Sequence, residues 1–76
     1  MKCEEIAELF AERVKGLRMT RGLSMSRLAE NMGTSNQNVS RWESGDYIPT
    51  AESIILLSKY FRVSSDFLLG LKDTMD

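Results

Sequence analysis

The chain contains no histidine, a single cysteine and a single proline in 76 residues. Without histidine the commonest general base is missing. The lone Cys3 has no partner for an internal disulfide and no companions for a zinc set. No Gly-rich phosphate loop occurs, and no serine sits in a recognisable nucleophile–base arrangement, so an enzyme is not expected. Neither a cofactor nor a metal is expected. No apolar run approaches the roughly 20 residues of a membrane span. The first residues, Met1-Lys2-Cys3-Glu4-Glu5, are acidic and lack the apolar stretch of a secretory signal, so a cytoplasmic location is expected by default.

Hydrophobic residues make up 42% of the chain, enough for one small core and too many for a disordered segment. The expected organisation is a single domain over residues 1–76. The net charge is −1, which argues at first against a nucleic-acid partner. The distribution says more than the sum. Residues 13–41 carry Arg13, Lys15, Arg18, Arg21, Arg27 and Arg41 against Glu30 alone, a net of +5, while residues 1–12 and 42–76 each net −3. Acidic residues early and basic residues late on one helix account for part of this, through the helix dipole. They leave Arg27 and Arg41 unexplained.

Four of the five glycines follow amphipathic stretches, as a left-handed residue after a helix does: Gly22, Gly33, Gly45 and Gly70. Cap-type residues restart the chain at Ser24, Ser35, Thr50 and Ser64. The pattern predicts five helices, at 4–20, 25–32, 36–43, 51–61 and 65–69, with residues 71–76 as a frayed tail. The first carries Ile6, Phe10, Val14 and Leu17 on one face; the second offers Leu28, Ala29 and Met32, and the third Val39 and Trp42. The fourth offers Ile54, Ile55, Leu57 and Phe61, and the fifth Phe67 and Leu68. No segment alternates apolar and polar residues as a strand does, so the fold class is all-α. Gly16 falls inside the first helix without an evident reason.

The spacing Ala29-x3-Gly33-x5-Val39 places a small residue, a turn and a core valine across residues 25–43, where two short helices meet. Any helical hairpin can show this triplet. The surroundings add Arg13-Val14-x-x-Leu17-Arg18, Gly22-Leu23-Ser24, Leu28-Ala29-x-x-x-Gly33, Val39-Ser40-Arg41-Trp42-Glu43-x-Gly45, Pro49 and Val63-Ser64-x-Asp66-Phe67-Leu68-Leu69-Gly70. From Phe10 to Gly70 the chain thereby resembles the Cro/phage-repressor (Xre-like) helix-turn-helix family.

The resemblance implies a compact five-helix bundle of the lambda-repressor-like type. It further implies a double-stranded, near-palindromic DNA operator as partner, bound by a homodimer, with no small-molecule effector evident. Asn36, Gln37 and Arg41 match the positions that face base edges, and their chemistry suits adenine and guanine. The expected backbone contacts are Ser24, Met25, Ser35, Asn38, Ser40, Ser44 and Tyr47, although Tyr47 equally suits packing on its loop. Arg18 and Glu43 match a pair that bridges the first helix to the end of the third. Leu56, Tyr60, Leu69 and Leu71 are candidates for a dimer interface. Met25 and Asp46 depart from the family, standing where a glutamine and a basic residue are usual; Arg62 stands where glycine often ends the fourth helix, and Ser58 where alanine is common. The expected function is a transcriptional regulator, with a repressor favoured. The alternative is an antitoxin or anti-repressor type of protein-interaction module on the same fold.

Overall fold

The computed structural model describes residues 2–76; Met1, the first residue of the acidic N-terminal stretch, lies outside them. Among the described residues the elements are α1 (Cys3–Thr20), α2 (Met25–Met32), α3 (Asn36–Trp42), α4 (Ala51–Phe61) and α5 (Ser65–Leu69). The all-α architecture of five helices expected from the sequence is what forms. Among the described residues no helix is long and apolar enough to cross a membrane.

Each helix after α1 starts on a hydroxyl cap. Ser24, Ser35, Thr50 and Ser64 accept hydrogen bonds from the backbone N–H groups of Arg27, Asn38, Ser53 and Phe67, three residues on in each case. At α4 the cap is reciprocal, because the Ser53 hydroxyl accepts from the Thr50 N–H at 3.0 Å. The α2–α3 turn depends on Gly33, whose φ of 71° lies in the left-handed region. There the Thr34 N–H reaches back to the Ala29 carbonyl at 2.9 Å and the Gly33 N–H to that of Glu30 at 3.2 Å, which closes α2. Arg62 is left-handed too, at φ 57°, and ends α4 without being glycine.

The core is Phe10, Val14 and Leu17 of α1, Leu28 and Ala29 of α2, Val39 and Trp42 of α3, Ile54, Leu57 and Phe61 of α4, and Val63, Phe67 and Leu68 beyond. Ala7 and Ala11 complete the buried face of α1, while Ile6 is only half-buried. Ile55 departs from expectation: it is 53% exposed. The buried stripe of α4 runs through Ser53, Ile54, Leu57 and Phe61, and the 100° step from Ile54 carries Ile55 off it. Residues 71–76 lie outside any helix and are exposed, but they are tethered. Arg13 donates to the carbonyls of Phe67 and Lys72 and stands 4.2 Å from the Phe67 ring centroid. The Ser64 N–H donates to the Met75 carbonyl at 2.7 Å.

Arg18 and Glu43 form a buried fork. Arg18 Nε donates to Glu43 Oε2 at 2.8 Å and Nη2 to Oε1 at 3.0 Å, with the two side chains only 12% and 2% exposed. A third bond runs from Nη1 to the Leu23 carbonyl at 2.8 Å. The carboxylate raises the Arg18 pKa, through the hydrogen bond first and its charge besides, against the opposing effect of burial. Glu43→Ala would leave the guanidinium buried without its counter-charge and is expected to cost about 3–5 kcal/mol in urea unfolding. The double variant Arg18→Met/Glu43→Leu is expected to regain part of that loss. A Glu43→Ala variant as stable as the parent would show that the fork carries none of this.

Gly16 is a second position with a measurable consequence. A Cβ built there meets no atom within 4 Å, and φ is helical, so neither space nor conformation requires glycine. Gly16→Ala is expected to stabilise the domain by up to about 1 kcal/mol, from helix propensity alone. A loss of stability on thermal unfolding would mean that a side chain at this position is not free of strain.

Candidate nucleic-acid interface

A seven-residue helix has two sides, and the sequence of α3 sorts them cleanly. Val39 and Trp42 are buried, while Asn36, Gln37, Ser40 and Arg41 are exposed. Positions 36 and 40, and positions 37 and 41, are one turn apart, so the four polar side chains form a continuous outward face. This face is held from behind by Val39 against Leu28 and Ala29, and from its end by Glu43 in the Arg18 fork. All three expected base readers therefore share one surface with amide and guanidinium groups, which pair with adenine and guanine edges respectively.

The residues expected at a DNA backbone are placed less uniformly. Ser24 and Ser35 are exposed, with their hydroxyl oxygens accepting cap bonds at 3.0 and 3.1 Å. Each hydroxyl retains its proton to donate. Met25 packs its side chain against the core, so only its main-chain N–H, at the first helical position, faces outward chemistry. Ser40 is exposed. The Ser44 hydroxyl closes the end of α3, donating to the Arg41 carbonyl at 2.8 Å and accepting from the Asp46 N–H at 3.2 Å.

Asn38 and Tyr47 point to intramolecular roles. Asn38 is half-buried, and its Nδ2 donates to Thr34 Oγ1 at 2.8 Å. Tyr47 packs from its loop against the core: its ring centroid is 6.3 Å from that of Phe10 on α1. Hydrogen bonding from the Thr50 side chain holds its phenol below the ordinary tyrosine pKa, helped by Ser53 and by the charge of Arg41, with burial opposing. Asp46 lines a shallow recess with Cys3, Glu4, Glu8 and Ile48, so its negative charge sits at the acidic start of α1.

The basic stretch divides once side chains are placed. Arg18 is buried in the fork, Arg13 holds the C-terminal residues, and Arg21 caps α4 by donating to the Phe61 carbonyl at 3.0 Å and the Tyr60 carbonyl at 3.4 Å. Arg27 and Arg41 are the two exposed arginines of the helix-turn-helix itself.

The interface candidates divide as well. Leu56 and Leu71 are exposed, whereas Leu69 is half-buried against the core. Tyr60 is half-buried too; its hydroxyl accepts from Asn31 Nδ2 at 3.0 Å, and its ring meets Phe61 edge-on at 5.0 Å. Ile55 joins Leu56 on the exposed side of α4. The Asn31–Tyr60 and Arg21–α4 ties carry no local sequence signal, since each joins residues at least 29 positions apart.

A helix-turn-helix family profile matches residues 14–68. Among curated relatives, the chain is 40% identical over 61 residues to the HTH-type transcriptional activator BcrR of Enterococcus faecalis, covering 80% of this chain and 30% of that protein. It is 36% identical over 61 residues to the SPbeta prophage-derived uncharacterized HTH-type transcriptional regulator YonR of Bacillus subtilis, covering 80% of this chain and 56% of that one. With repressor protein C2 of Salmonella phage P22 the identity is 32% over 62 residues, or 82% of this chain and 29% of the repressor. The chain thus spans less than two thirds of the length of each.

Proposed function

The chain belongs to the Cro/phage-repressor helix-turn-helix family of DNA-binding transcriptional regulators, and we propose that it represses a promoter by laying α3 in the major groove of a near-palindromic operator. The observation that carries this reading is the split of α3, with Asn36, Gln37, Ser40 and Arg41 outward and Val39 and Trp42 in the core. A helix held this way presents its first turn and the face one turn later to base edges. Gln37 offers an amide for adenine N6 and N7, and Arg41 a fork for guanine O6 and N7. Ser24, Ser35, Ser40 and the Met25 main-chain N–H supply donors for flanking phosphates.

The sign of regulation is the finer part of the proposal. The relatives' names include an activator and a repressor. A groove reader lying across a promoter excludes polymerase without a further surface, and this favours repression. Two copies related by a two-fold axis, meeting through the exposed Leu56 and Leu71 with neighbouring Tyr60 and Leu69, make the reading unit. The acidic ends, Met25 and Asp46 are the features that would favour the protein-interaction alternative. Packing of Met25 on the core accounts for that residue without a partner.

A binding selection on random duplexes, run on the parent, Gln37→Ala and Arg41→Ala, tests the reading. The parent is expected to select half-sites about 34 Å apart, one helical turn. Gln37→Ala is expected to lose about 1–3 kcal/mol of discrimination at one base pair, and Arg41→Ala to relax a different one, a G·C, while also binding more weakly. Both variants keeping the parental preference would remove α3 as the reader.

A further inference from the structure

The helix-turn-helix contains a connected set of side chains that runs from its turn to its reading face. Thr34 is the residue after the left-handed Gly33, and its N–H is fixed on the Ala29 carbonyl at 2.9 Å. Its hydroxyl, half-buried in the turn, accepts from Asn38 Nδ2 at 2.8 Å. The other end of the same amide, Asn38 Oδ1, accepts from Arg41 Nη1 at 3.5 Å.

The direction of the Asn38 amide follows from chemistry. An arginine side chain only donates, so the atom facing Arg41 has to be the amide oxygen; a hydroxyl accepts as readily as it donates, so Thr34 suits the amide nitrogen. The reversed amide would set two donors against each other. Asn38 therefore carries the fixed geometry of the turn to a side chain that is otherwise exposed, with a long flexible stem. A side chain already biased toward its bound orientation loses less freedom when it meets a base. At 3.5 Å the Arg41 bond is long, so it biases the guanidinium rather than locking it.

We propose that Asn38 is a positioning residue for Arg41, held in register by Thr34, and that it sharpens base preference at the one base pair that Arg41 meets. This deepens the reading of α3 as the base reader and rests on it. Asn38, which the family resemblance places at a phosphate, acts instead on specificity through its neighbour. The two roles separate experimentally, because loss of a phosphate contact weakens binding evenly across sequences while loss of positioning changes preference at one place.

The test extends the binding selection to Asn38→Ala, Thr34→Val and Thr34→Ser, with Arg41→Ala and Gln37→Ala identifying which base pair each reader governs. Asn38→Ala is expected to lower discrimination at the Arg41 base pair by about threefold to tenfold and to leave the Gln37 base pair unchanged. Thr34→Val, which removes the hydroxyl and keeps the shape, is expected to act in the same direction more weakly. Thr34→Ser restores the hydroxyl and is expected to restore the preference. Should Asn38→Ala unfold the domain, the Thr34 pair carries the test alone. If Arg41→Ala relaxes its base pair while neither Asn38→Ala nor Thr34→Val does, the positioning role is wrong and the reading of α3 stands. An even loss of affinity in Asn38→Ala overturns it as well, in favour of a phosphate contact. If Arg41→Ala itself leaves preference unchanged, both fall together.

Discussion

The placement of α3 depends on the fork between Arg18 and Glu43. Three short bonds leave one guanidinium, two to the Glu43 carboxylate and one to the Leu23 carbonyl. They join the last turn of α1, the loop that follows it and the end of α3. A buried ion pair adds little net stability over a well-packed apolar pair, because desolvation offsets most of the attraction. What it adds is direction, since the planar fork accepts a carboxylate in few orientations. With Trp42 buried beside Glu43, rotation of α3 about its axis would break the fork and expose the indole together. The outward face of α3 follows from that constraint.

The same chemistry settles how the charges are divided. Arg13, Arg18 and Arg21 look in sequence like part of an electrostatic footprint for DNA. In the fold each is engaged by carbonyls or a carboxylate, and Arg13 and Arg21 also stand over aromatic rings. Arg27 and Arg41 remain exposed on the helix-turn-helix. A domain of net charge −1 can then read DNA with modest affinity for random sequence. Its selectivity would rest on α3 and on the Thr34–Asn38 support behind Arg41.

The helices were legible because their signals are local. Hydroxyl caps at Ser24, Ser35, Thr50 and Ser64 and glycine at 22, 33 and 70 mark boundaries within a few residues of the backbone they control. The exposed side of α3 was legible for a related reason, since helical period alone puts 37 and 41 together and 39 and 42 behind them. The Thr50–Ser53 reciprocal cap also has a local signal, a hydroxyl pair at the spacing of a cap and its third helical residue. Other features depend on distant partners. Ala7 and Ala11 are buried only once α1 is packed into the bundle, Ala7 beside Gly45, Asp46 and Ile48, and Ile55 is exposed because α4 turns Ile54 inward. The tether on residues 71–76 comes from Arg13 across more than 50 positions.

The salt dependence of binding to random duplex DNA bears most directly on this division of charge. Each phosphate neutralised by a cation contributes about −0.9 to the slope of log K against log salt on B-DNA. With the fork, the α4 cap and the C-terminal tether holding three arginines, the expected slope is about −2 per chain, from Arg27 and Arg41. It should fall to about −1 in Arg41→Ala and stay near its parental value in Arg21→Met. A parental slope steeper than about −4 that becomes shallower in Arg21→Met would mean that arginines assigned to the fold are contacting phosphate instead. A slope of zero would remove DNA as the partner altogether.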